Sequence, residues 1–220
     1  MIRGVLLDYS GTLYRLEPRT GWTEQEAAGL DPRVLTELLT APVMPSEHLP
    51  ADLLDDWERR DLDAEIHRAV YLAALGSAHP GLPAAALSAI YERLLQPESW
   101  RPYPDTLDAL NLLRGNGIPV AVVSNIPWDI REVFARNGML ELVDEFVLSY
   151  AEGVMKPDPK IFLTACQRLG VAPADALMIG DSEPADGAAT QVGCRFAAVA
   201  PLPVAERPDA LLTALATHGL

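Results

Sequence analysis

The stretch VLLDYSGTL, residues 5–13, begins as a short apolar run and ends in one carboxylate followed by a small Gly-Thr turn. This pattern predicts a buried strand that brings Asp8 to the end of a parallel sheet, where open α/β folds bind their ligands. Gly11 permits a turn whose backbone N–H groups converge on an anion. From these residues alone, Asp8 is a candidate metal ligand, a candidate nucleophile, or simply the polar end of a strand.

Polar residues also follow a second apolar run and occupy a later proline-flanked loop. Ser124 and Asn125 come directly after the run VAVV, where a hydroxyl can cap the next helix or bond a phosphoryl oxygen. Lys156 lies in the loop GVMKPDP and is one of only two lysines in the chain. A lysine held in such a loop can neutralise both a carboxylate and a phosphoryl group.

A cluster of acids follows another apolar run. The segment DSEPAD, residues 181–186, places three carboxylates within six residues. Carboxylates at this spacing repel one another unless a cation is present, and Mg²⁺ prefers such oxygen ligands. Acids also suit the start of a helix, where the dipole favours negative charge. Asp181 and Asp186 can serve both purposes at once.

The apolar runs and amphipathic segments divide the chain into two parts. Residues 1–16 and 97–220 alternate strand-like and helix-like segments, which predicts a doubly wound α/β core domain with a parallel sheet. Residues 17–96 show helical periodicity and no convincing strand, which predicts an all-helical cap subdomain inserted into this core. The predicted strands cover residues 4–7, 119–123, 145–148, 176–179 and 196–199. The predicted helices cover residues 32–39, 46–75, 83–95, 104–114, 127–137, 159–169 and 184–192, and Gly76 is expected to end the second of them.

The composition excludes some classes of function. A net charge of −14 argues against binding to nucleic acid or to an anionic membrane, both of which need clustered Lys and Arg. It does not exclude a phosphorylated substrate, because a metal ion and one lysine can reverse the local field. No apolar run is long enough to span a bilayer, and no secretory signal pattern is visible. The chain has two cysteines, and their spacing is not that of metal ligands. Together with the features above, this predicts a protein of the reducing cytoplasm.

Four motifs together resemble those of the haloacid dehalogenase (HAD) superfamily of hydrolases. They are Asp8-x-x-Gly-Thr, Ser124-Asn, Lys156-Pro and Gly-Asp181-x₄-Asp. The resemblance covers residues 2–14 and 100–200, and the helical insertion resembles the family's helical cap. It implies a Rossmann-like core and a hydrolase that acts on a small phosphorylated molecule.

The resemblance also implies roles for single residues. The family residue that matches Asp8 is the nucleophile and forms a covalent aspartyl intermediate, while Mg²⁺ screens the negative charges that approach each other. The metal is held by the counterparts of Asp8, Asp181 and Asp186 and by the backbone carbonyl at the position of Ser10. The counterparts of five residues bind the phosphoryl group or lie beside it: Gly11, Thr12, Ser124, Asn125 and Lys156.

Ser10 departs from the family pattern, since most of the family's phosphatases carry a second Asp there. That Asp protonates the departing alkoxide and later deprotonates the attacking water. Such general acid–base catalysis typically raises the rate by about 10²–10⁴-fold. A serine hydroxyl cannot supply a comparable acid or base near neutral pH. Three enzymatic interpretations remain: a phosphatase that is slow or takes acyl and aryl phosphates, a phosphotransferase with a long-lived aspartyl phosphate, and a hydrolase of carbon–halogen or carbon–phosphorus bonds, since those relatives also lack the second Asp. A fourth interpretation is a regulatory protein that binds phosphate without catalysis.

Two further comparisons narrow these interpretations. A carbon–phosphorus hydrolase of this superfamily uses a cap lysine, and residues 17–98 contain none. The 2-haloacid dehalogenases carry Tyr at the position of Ser10 and work without a metal, which the acid cluster argues against. Candidate partners for a substrate carboxylate are Arg19, Arg33, Arg59, Arg60 and Arg68. Candidates for lining the cleft are Tyr9, Tyr14 and Trp128, whereas His48, His67, His79 and His218 are expected at the surface or in cap packing.

Overall fold

The centre of the molecule is a parallel sheet of five strands. A computed structural model describes residues 1–18, 21–27, 30–41 and 49–220. In chain order, the strands are β1 (Gly4–Leu7), β2 (Tyr14–Leu16), β3 (Trp100–Pro102), β4 (Val120–Ser124), β5 (Glu145–Leu148), β6 (Ala176–Gly180) and β7 (Arg195–Ala198). The order in the central sheet is β5-β4-β1-β6-β7. The predicted α/β class is confirmed, and each predicted core strand lies within one residue of the observed bounds.

The three middle strands place the polar motif residues at one edge of the sheet. Every residue of β1, β4 and β6 is buried, as expected for strands covered on both faces. Leu7 pairs with Val122 of β4 on one side and with Ile179 of β6 on the other. Because all three strands run in the same direction, the residues at their carboxyl ends converge at this edge.

Helices cover both faces of the sheet. In chain order, the helices are α1 (Glu24–Ala27), α2 (Pro32–Thr40), α3 (Leu54–Glu58), α4 (Ala64–Ala78), α5 (Ala84–Leu95), α6 (Thr106–Gly115), α7 (Arg131–Arg136), α8 (Ser149–Glu152), α9 (Pro159–Leu169) and α10 (Ala210–Thr217). Apolar residues of α9 pack against one face, together with the 3₁₀ segment Gly187–Val192. Apolar residues of α6, α7 and α10 pack against the other face. Successive residues of β1 alternate between these two clusters, since side chains of a strand point to opposite faces.

Helices α1–α5 lie between β2 and β3, in the region where the sequence predicted a helical insertion. The two short strands that border this region pair with each other in antiparallel register, with Tyr14 opposite Pro102 and Leu16 opposite Trp100. This ribbon was not predicted, because three residues are too few to show an alternating pattern. The ribbon draws together the two places where the chain enters and leaves the inserted helices. The division into a core domain and a cap subdomain stays a prediction.

Several predicted helix bounds are wrong. The helix expected over residues 46–75 is interrupted, and its first three residues lie outside the described part of the chain. After α3 the chain makes a 3₁₀ turn at Arg60–Leu62, and Asp63 then caps α4 by accepting bonds from Glu65 N at 2.8 Å and Ile66 N at 2.9 Å. This cap starts a new helix, which explains the interruption. Helix α4 also runs through Gly76 to Ala78.

Two predicted core helices are shorter than expected. The segment predicted as a helix over residues 127–137 becomes helical only in α7, and the one predicted over 184–192 forms only 3₁₀ structure at Gly187–Val192. In both cases the polar residues after a strand are held in a loop by contacts described below. The loop conformation therefore replaces the first helical turn at the functional edge of the sheet.

Candidate active site

Lys156 joins the carboxylates that the strands deliver to the edge of the sheet. Its Nζ lies 2.7 Å from Asp8 Oδ1, 2.5 Å from Asp186 Oδ1 and 3.0 Å from the carbonyl oxygen of Val123. Lys156, Asp8 and Asp186 are only 4%, 5% and 0% exposed. Burial acts to lower the pKa of Lys156, yet the two carboxylates outweigh it and raise that pKa, so the ammonium is charged. The loop lysine is therefore part of a buried ion network and not a solvated surface group.

Asp181 completes a group of three acids. One carboxylate oxygen from each of Asp8, Asp181 and Asp186 lies within 4.8 Å of the others. Burial, followed by the negative charges of Asp8 and Asp186, raises the pKa of Asp181 to about 7. One ammonium contacts two of these three carboxylates, so negative charge remains in excess. Oxygen donors in this arrangement fit a hard divalent cation such as Mg²⁺.

Asp186 differs from the other two acids in how its oxygens are used. Oδ1 accepts a bond from Lys156, and Oδ2 accepts one from the backbone N–H of Ser182 at 2.9 Å. These bonds fold the segment after β6 back on itself, and Asp186 is fully buried there. Metal ligation by Asp186, direct or through water, stays a prediction.

Two glycines allow the backbone to approach these acids closely. Gly11 adopts φ +79°, and a Cβ added to it would overlap the carboxylate of Asp181. A Cβ added to Gly180 would overlap the carboxylate of Asp186. Any side chain at either position would displace an acid of the cluster. Both glycines are therefore required by space at the site, and Gly11 also by its positive φ.

The loop after β1 presents its backbone differently from what the resemblance implies. The N–H of Gly11 donates to the carbonyl of Tyr14 at 2.7 Å. Contrary to the expectation, this N–H is therefore not available to a phosphoryl oxygen. Of the two N–H groups expected to bind phosphate, that of Thr12 remains the candidate. The Thr12 hydroxyl lies 3.4 Å from Asp8 Oδ2. Ser10 is exposed and lines the cavity described below, beside Gly11.

The two residues of the second motif occupy different places at the site. Ser124 is the last residue of β4 and is buried at the edge where Asp8 and Asp181 converge. Asn125 uses both ends of its amide on the backbone of Lys156, donating from Nδ2 to the carbonyl at 2.8 Å and accepting at Oδ1 from the N–H at 2.7 Å. Asn125 therefore fixes the lysine loop against the end of β4. Direct contact of Ser124 or Asn125 with phosphate stays a prediction.

A cavity of about 490 Å³ opens above this edge and is bounded on the other side by the inserted helices. Its floor includes Ser10, Gly11, Asn125 and Asp181. The wall is mostly apolar or aromatic: Leu16, Leu39, Tyr71, Leu94, Trp100, Ile126, Pro127, Trp128 and Pro201. The polar part of the wall is Arg15, Thr40, Asp61 and His67. A small molecule that reaches Asp8 from this side would place its remaining atoms among these groups.

The aromatic candidates divide between this cavity and the core. Trp128 lines the cavity as predicted. The prediction for Tyr9 and Tyr14 is wrong, because both are fully buried in a cluster with Phe134. Their rings lie with the β1 side chains of one sheet face, below the cavity. Trp100 contacts Tyr9 at a ring-centroid distance of 4.8 Å and forms part of the cavity wall.

The inserted region contributes three polar residues that the sequence did not single out for the site: Thr40, Asp61 and His67. His67 packs its ring on Tyr71 and against the edge of Trp128, as expected for a packing residue, but it also lines the cavity. Burial, followed by the charge of Arg60, lowers the pKa of His67 to about 4, so the ring is neutral at pH 7. Asp61 lies 3.9 Å from His67, and burial raises the pKa of its carboxyl.

Residues from outside the motifs hold the site together. The hydroxyl of Ser149 accepts a bond from Ile126 N at 2.9 Å and donates to the Asp61 carbonyl at 2.5 Å, which links the inserted helices to the core. The guanidinium of Arg207 donates to the carbonyls of Gly11 and Thr12. No local sequence pattern marks these residues, since their partners are 23 to 196 positions away along the chain.

The arginines proposed for a substrate carboxylate are absent from the cavity wall wherever the structure describes them. Within the described residues, Arg33, Arg59, Arg60 and Arg68 are absent from the cavity lining, whereas Arg15 is present. Arg59 pairs with Asp56, and Arg60 stacks on Trp57. Arg19 and His48 lie outside the described residues. Among the described helices, none is long and apolar enough to cross a membrane.

Comparison with known proteins places this site in a family. The pattern of the haloacid dehalogenase-like hydrolases matches residues 2–193. A glyceraldehyde 3-phosphate phosphatase of Methanopyrus kandleri is 33% identical over 183 residues, which are 82% of this chain and 76% of that protein. The chain belongs to the haloacid dehalogenase-like hydrolase family. The matched region contains all four motifs and ends before the last 27 residues, 194–220.

Solved structures agree with this assignment. A crystal structure of a HAD phosphatase from Thermococcus onnurineus has a TM-score of 0.57 and 26% identity, covering 90% of this chain and 86% of that one. The L-2-haloacid dehalogenase of Xanthobacter autotrophicus has a TM-score of 0.63 at 24% identity, covering 100% of this chain and 84% of that one. The latter similarity shows the fold alone. The named relatives together support a hydrolase of the phosphatase type.

Proposed function

We propose that this protein is a Mg²⁺-dependent phosphatase that removes the phosphoryl group from a small phosphorylated metabolite, with Asp8 as the nucleophile. One observation carries the proposal. Asp8 shares a charged lysine with Asp186 and lies within 4.8 Å of Asp181, and Asp181 lines a cavity of about 490 Å³, which is large enough for a metabolite. A nucleophilic carboxylate, a cation site and a fixed ammonium at one point are the groups that phosphoryl transfer requires.

The two oxygens of Asp8 have different tasks in this mechanism. Oδ1 is held by the ammonium of Lys156 at 2.7 Å, and Oδ2, which accepts the longer bond of 3.4 Å from the Thr12 hydroxyl, attacks phosphorus. The new Asp8–phosphorus bond forms as the bond to the leaving oxygen breaks, and the leaving group departs with that electron pair. Water then attacks phosphorus as the Asp8–phosphorus bond breaks, which restores the carboxylate, and the proton that the water loses leaves with the inorganic phosphate or on the departed oxygen. Asp8, Asp181 and the carbonyl of Ser10, with Asp186 beside them, would hold Mg²⁺, which would supply the charge screening that lets two anions approach.

The rest of the phosphoryl site is formed by groups that donate hydrogen bonds. The Thr12 N–H and the Ser124 hydroxyl hold the phosphoryl oxygens, and Gly11 provides the space for Asp181 to lie against the loop. The ammonium of Lys156, which donates to Asp8, Asp186 and the carbonyl of Val123, supplies positive charge beside them. Asn125 positions Lys156 through two bonds to its backbone. Such fixed donors stabilise the charge that develops in the transition state without having to reorganise.

The substrate enters between the core and the inserted helices. In this proposal residues 17–96 act as a cap over the core formed by 1–16 and 97–220, and the leaving group lies in the cavity. Closure of such an element excludes water from the reaction. Because Ser10 cannot donate a proton as a carboxylic acid does, we expect acyl and aryl phosphates to react faster than alkyl phosphates. The substrate named for the relative, glyceraldehyde 3-phosphate, belongs in the test panel as an alkyl phosphate.

The proposal is tested by phosphate release from acetyl phosphate, 4-nitrophenyl phosphate and glyceraldehyde 3-phosphate, with Mg²⁺ and with EDTA. We expect release that needs Mg²⁺ and that falls by at least about 10⁴-fold in Asp8→Asn, as expected for loss of a nucleophile. Asp108→Asn, at an exposed acid of α6, is the matched control and should retain full activity. Release that persists unchanged in Asp8→Asn contradicts the mechanism. Chloride release from 2-chloropropionate in EDTA would select a dehalogenase instead.

A further inference from the structure

Arg207 is a buried cation that lies outside the matched family region. It follows the 3₁₀ turn Val204–Glu206 and is only 3% exposed. Nη1 donates to the carbonyl of Gly11 at 2.9 Å, and Nη2 donates to the carbonyl of Thr12 at 2.5 Å. The guanidinium also stacks on the ring of Tyr103. A residue near the end of the chain thus holds two consecutive carbonyls of the loop that follows Asp8.

The position of these carbonyls determines where the adjacent N–H groups point. The Gly11–Thr12 peptide is trans, so its carbonyl oxygen and the N–H of Thr12 point in opposite directions. With the carbonyl held by Arg207, the Thr12 N–H is directed to the other side of the peptide. The N–H of Gly11 is occupied by Tyr14. The orientation of this one peptide therefore decides whether the loop offers a donor or an acceptor to an anion.

Glycine makes that orientation easy to lose. The Gly11–Thr12 peptide rotates through ψ of Gly11 and φ of Thr12, and a residue without Cβ restricts its own ψ less than any other residue does. Rotation of the peptide would turn the Gly11 carbonyl towards the phosphoryl site, where its partial negative charge repels an anion. A planar guanidinium with parallel donors is suited to fix two carbonyls at once, whereas an ammonium is a point charge.

We propose that Arg207 is a positioning residue of the phosphoryl site, which holds the Gly11–Thr12 peptide so that the Thr12 N–H faces the transferring group. The inference rests on the proposed function, because it assigns the Thr12 N–H to a phosphoryl oxygen. Arg207 donates to the two carbonyls and not to the acids of the cluster, although Asp181 is near enough for its charge to act on the pKa of Arg207. Its guanidinium replaces solvent on the outer side of the loop and keeps the inner side free for the ligand.

The C-terminal segment has other attachments that do not depend on Arg207. Asp105 Oδ2 accepts bonds from the N–H groups of Leu211 and Leu212 at the start of α10. The hydroxyl of Tyr103 donates to the carbonyl of Leu202 at 2.8 Å. These bonds flank Arg207 on both sides, so we expect a substitution there to leave the segment in place. The effect on the loop can then be measured in a folded protein.

The experiment compares Arg207→Met with Arg207→Lys and with the matched control Arg93→Met. Like Arg207, Arg93 is buried, donates to a backbone carbonyl and stacks on an aromatic ring. Its partners are the carbonyl of Gly21, at 3.1 Å, and the ring of Trp22. Arg93 differs from Arg207 in its place, since it lies on α5. Steady-state kinetics with acetyl phosphate and Mg²⁺ are measured well below the melting temperature of each variant. We expect kcat of Arg207→Met to fall about 10- to 100-fold, near the loss seen on removing one transition-state donor.

Three further readouts separate positioning from a general loss of structure. KM and the Mg²⁺ concentration for half-maximal rate should change less than about threefold in Arg207→Met, because Lys156 and the acids remain in place. Arg207→Lys should recover part of kcat, since one ammonium can still reach one carbonyl. Arg93→Met should lose comparable stability but keep kcat within about twofold. A kcat for Arg207→Met that matches that of Arg93→Met overturns the inference.

Crystal structures of the wild type and Arg207→Met test the inference separately from the proposed function. We expect the Gly11 carbonyl to turn towards the acids in the variant and to remain outward in the wild type. An outward carbonyl in both proteins overturns the positioning role, whatever the activity. A rotated peptide in a protein that releases no phosphate from any compound refutes the proposed function and leaves the control of the peptide by Arg207 intact.

Discussion

The two sides of the cavity are built in different ways. On the core side, the polar groups bond to one another, as when Lys156 holds Asp8 and Asp186 and is itself held by Asn125. On the side of the inserted helices, the wall consists mainly of rings and aliphatic groups, with His67 and Asp61 3.9 Å apart. Fixed charge is needed for the reaction itself, whereas shape and apolar surface serve to recognise a leaving group. We therefore expect substitutions on the core side to change turnover and those on the other side to change substrate preference.

Among the substitutions that compare the two sides, the largest effect is expected for Lys156, one of the chain's two lysines. Lys156→Met leaves two buried carboxylates without their cation, and breaking a buried ion pair in this way costs about 3–5 kcal/mol. Loss of its charge at the phosphoryl group should also lower kcat by at least about 10²-fold. Urea unfolding in the absence of Mg²⁺ and phosphate-release kinetics measure the two effects.

Lys160 provides the matched control, because it is exposed on α9 only four positions away. Lys160→Met should change the free energy of unfolding by less than about 0.5 kcal/mol and leave kcat unaltered. Equal effects of the two substitutions would mean that the buried network on the core side has no special part in stability or catalysis.

The next effect concerns Ser10, which lies on the floor of the cavity. Ser10→Asp supplies the proton donor that the chain lacks, so turnover of alkyl phosphates should rise by about 10-fold or more. Aryl phosphates should gain less, because their leaving groups depart without protonation. The ratio of kcat for glycerol 3-phosphate and 4-nitrophenyl phosphate measures this difference. No change, or an equal change for both compounds, would show that proton transfer is not what limits this enzyme.

The smallest effect is expected on the side of the inserted helices. Tyr71 on α4 lines the cavity and contacts His67 at a ring-centroid distance of 5.6 Å. Tyr71→Leu removes the ring and should raise KM for 4-nitrophenyl phosphate by about three- to tenfold, as expected for one lost aromatic contact. Acetyl phosphate, which has little apolar surface, should be unaffected, and Tyr71→Phe should behave as the wild type. A fall in kcat for both compounds would place Tyr71 in the reaction itself.

The sequence predicts the core side far better than the other. Asp8, Ser124 and Asp181 stand at the ends of apolar runs, and parallel strands bring such ends together, so their convergence follows from the pattern alone. Periodicity does not give the contacts that position them. The hydrogen bond from Arg207 to Gly11 joins residues 196 positions apart in the chain. Its acceptor, like that of the bond to Thr12, is a backbone carbonyl, which no side-chain pattern reveals.

The inserted helices are harder to predict for a related reason. Apolar spacing identifies helices there but does not show which face meets the core, so His67 was assigned to packing without its place in the cavity wall. The break between α3 and α4 depends on the Asp63 cap, which competes with continuous helical periodicity. Tyr9 was misplaced because a residue next to Asp8 was expected at the cleft, whereas its ring points into the core.

The most direct test is a calorimetric titration of the metal-free protein with Mg²⁺ at pH 6, 7 and 8. We predict one ion per chain. The pKa of Asp181 is raised to about 7, so a proton must leave as the ion binds, and the affinity should rise about tenfold from pH 6 to 8 and level off above that pKa. Asp8→Asn should weaken binding strongly, and Asp181→Asn should also remove the pH dependence, while Asp108→Asn should bind as the wild type does. Binding that survives both substitutions, or no binding at any pH, would contradict a shared cation site at the ends of β1 and β6.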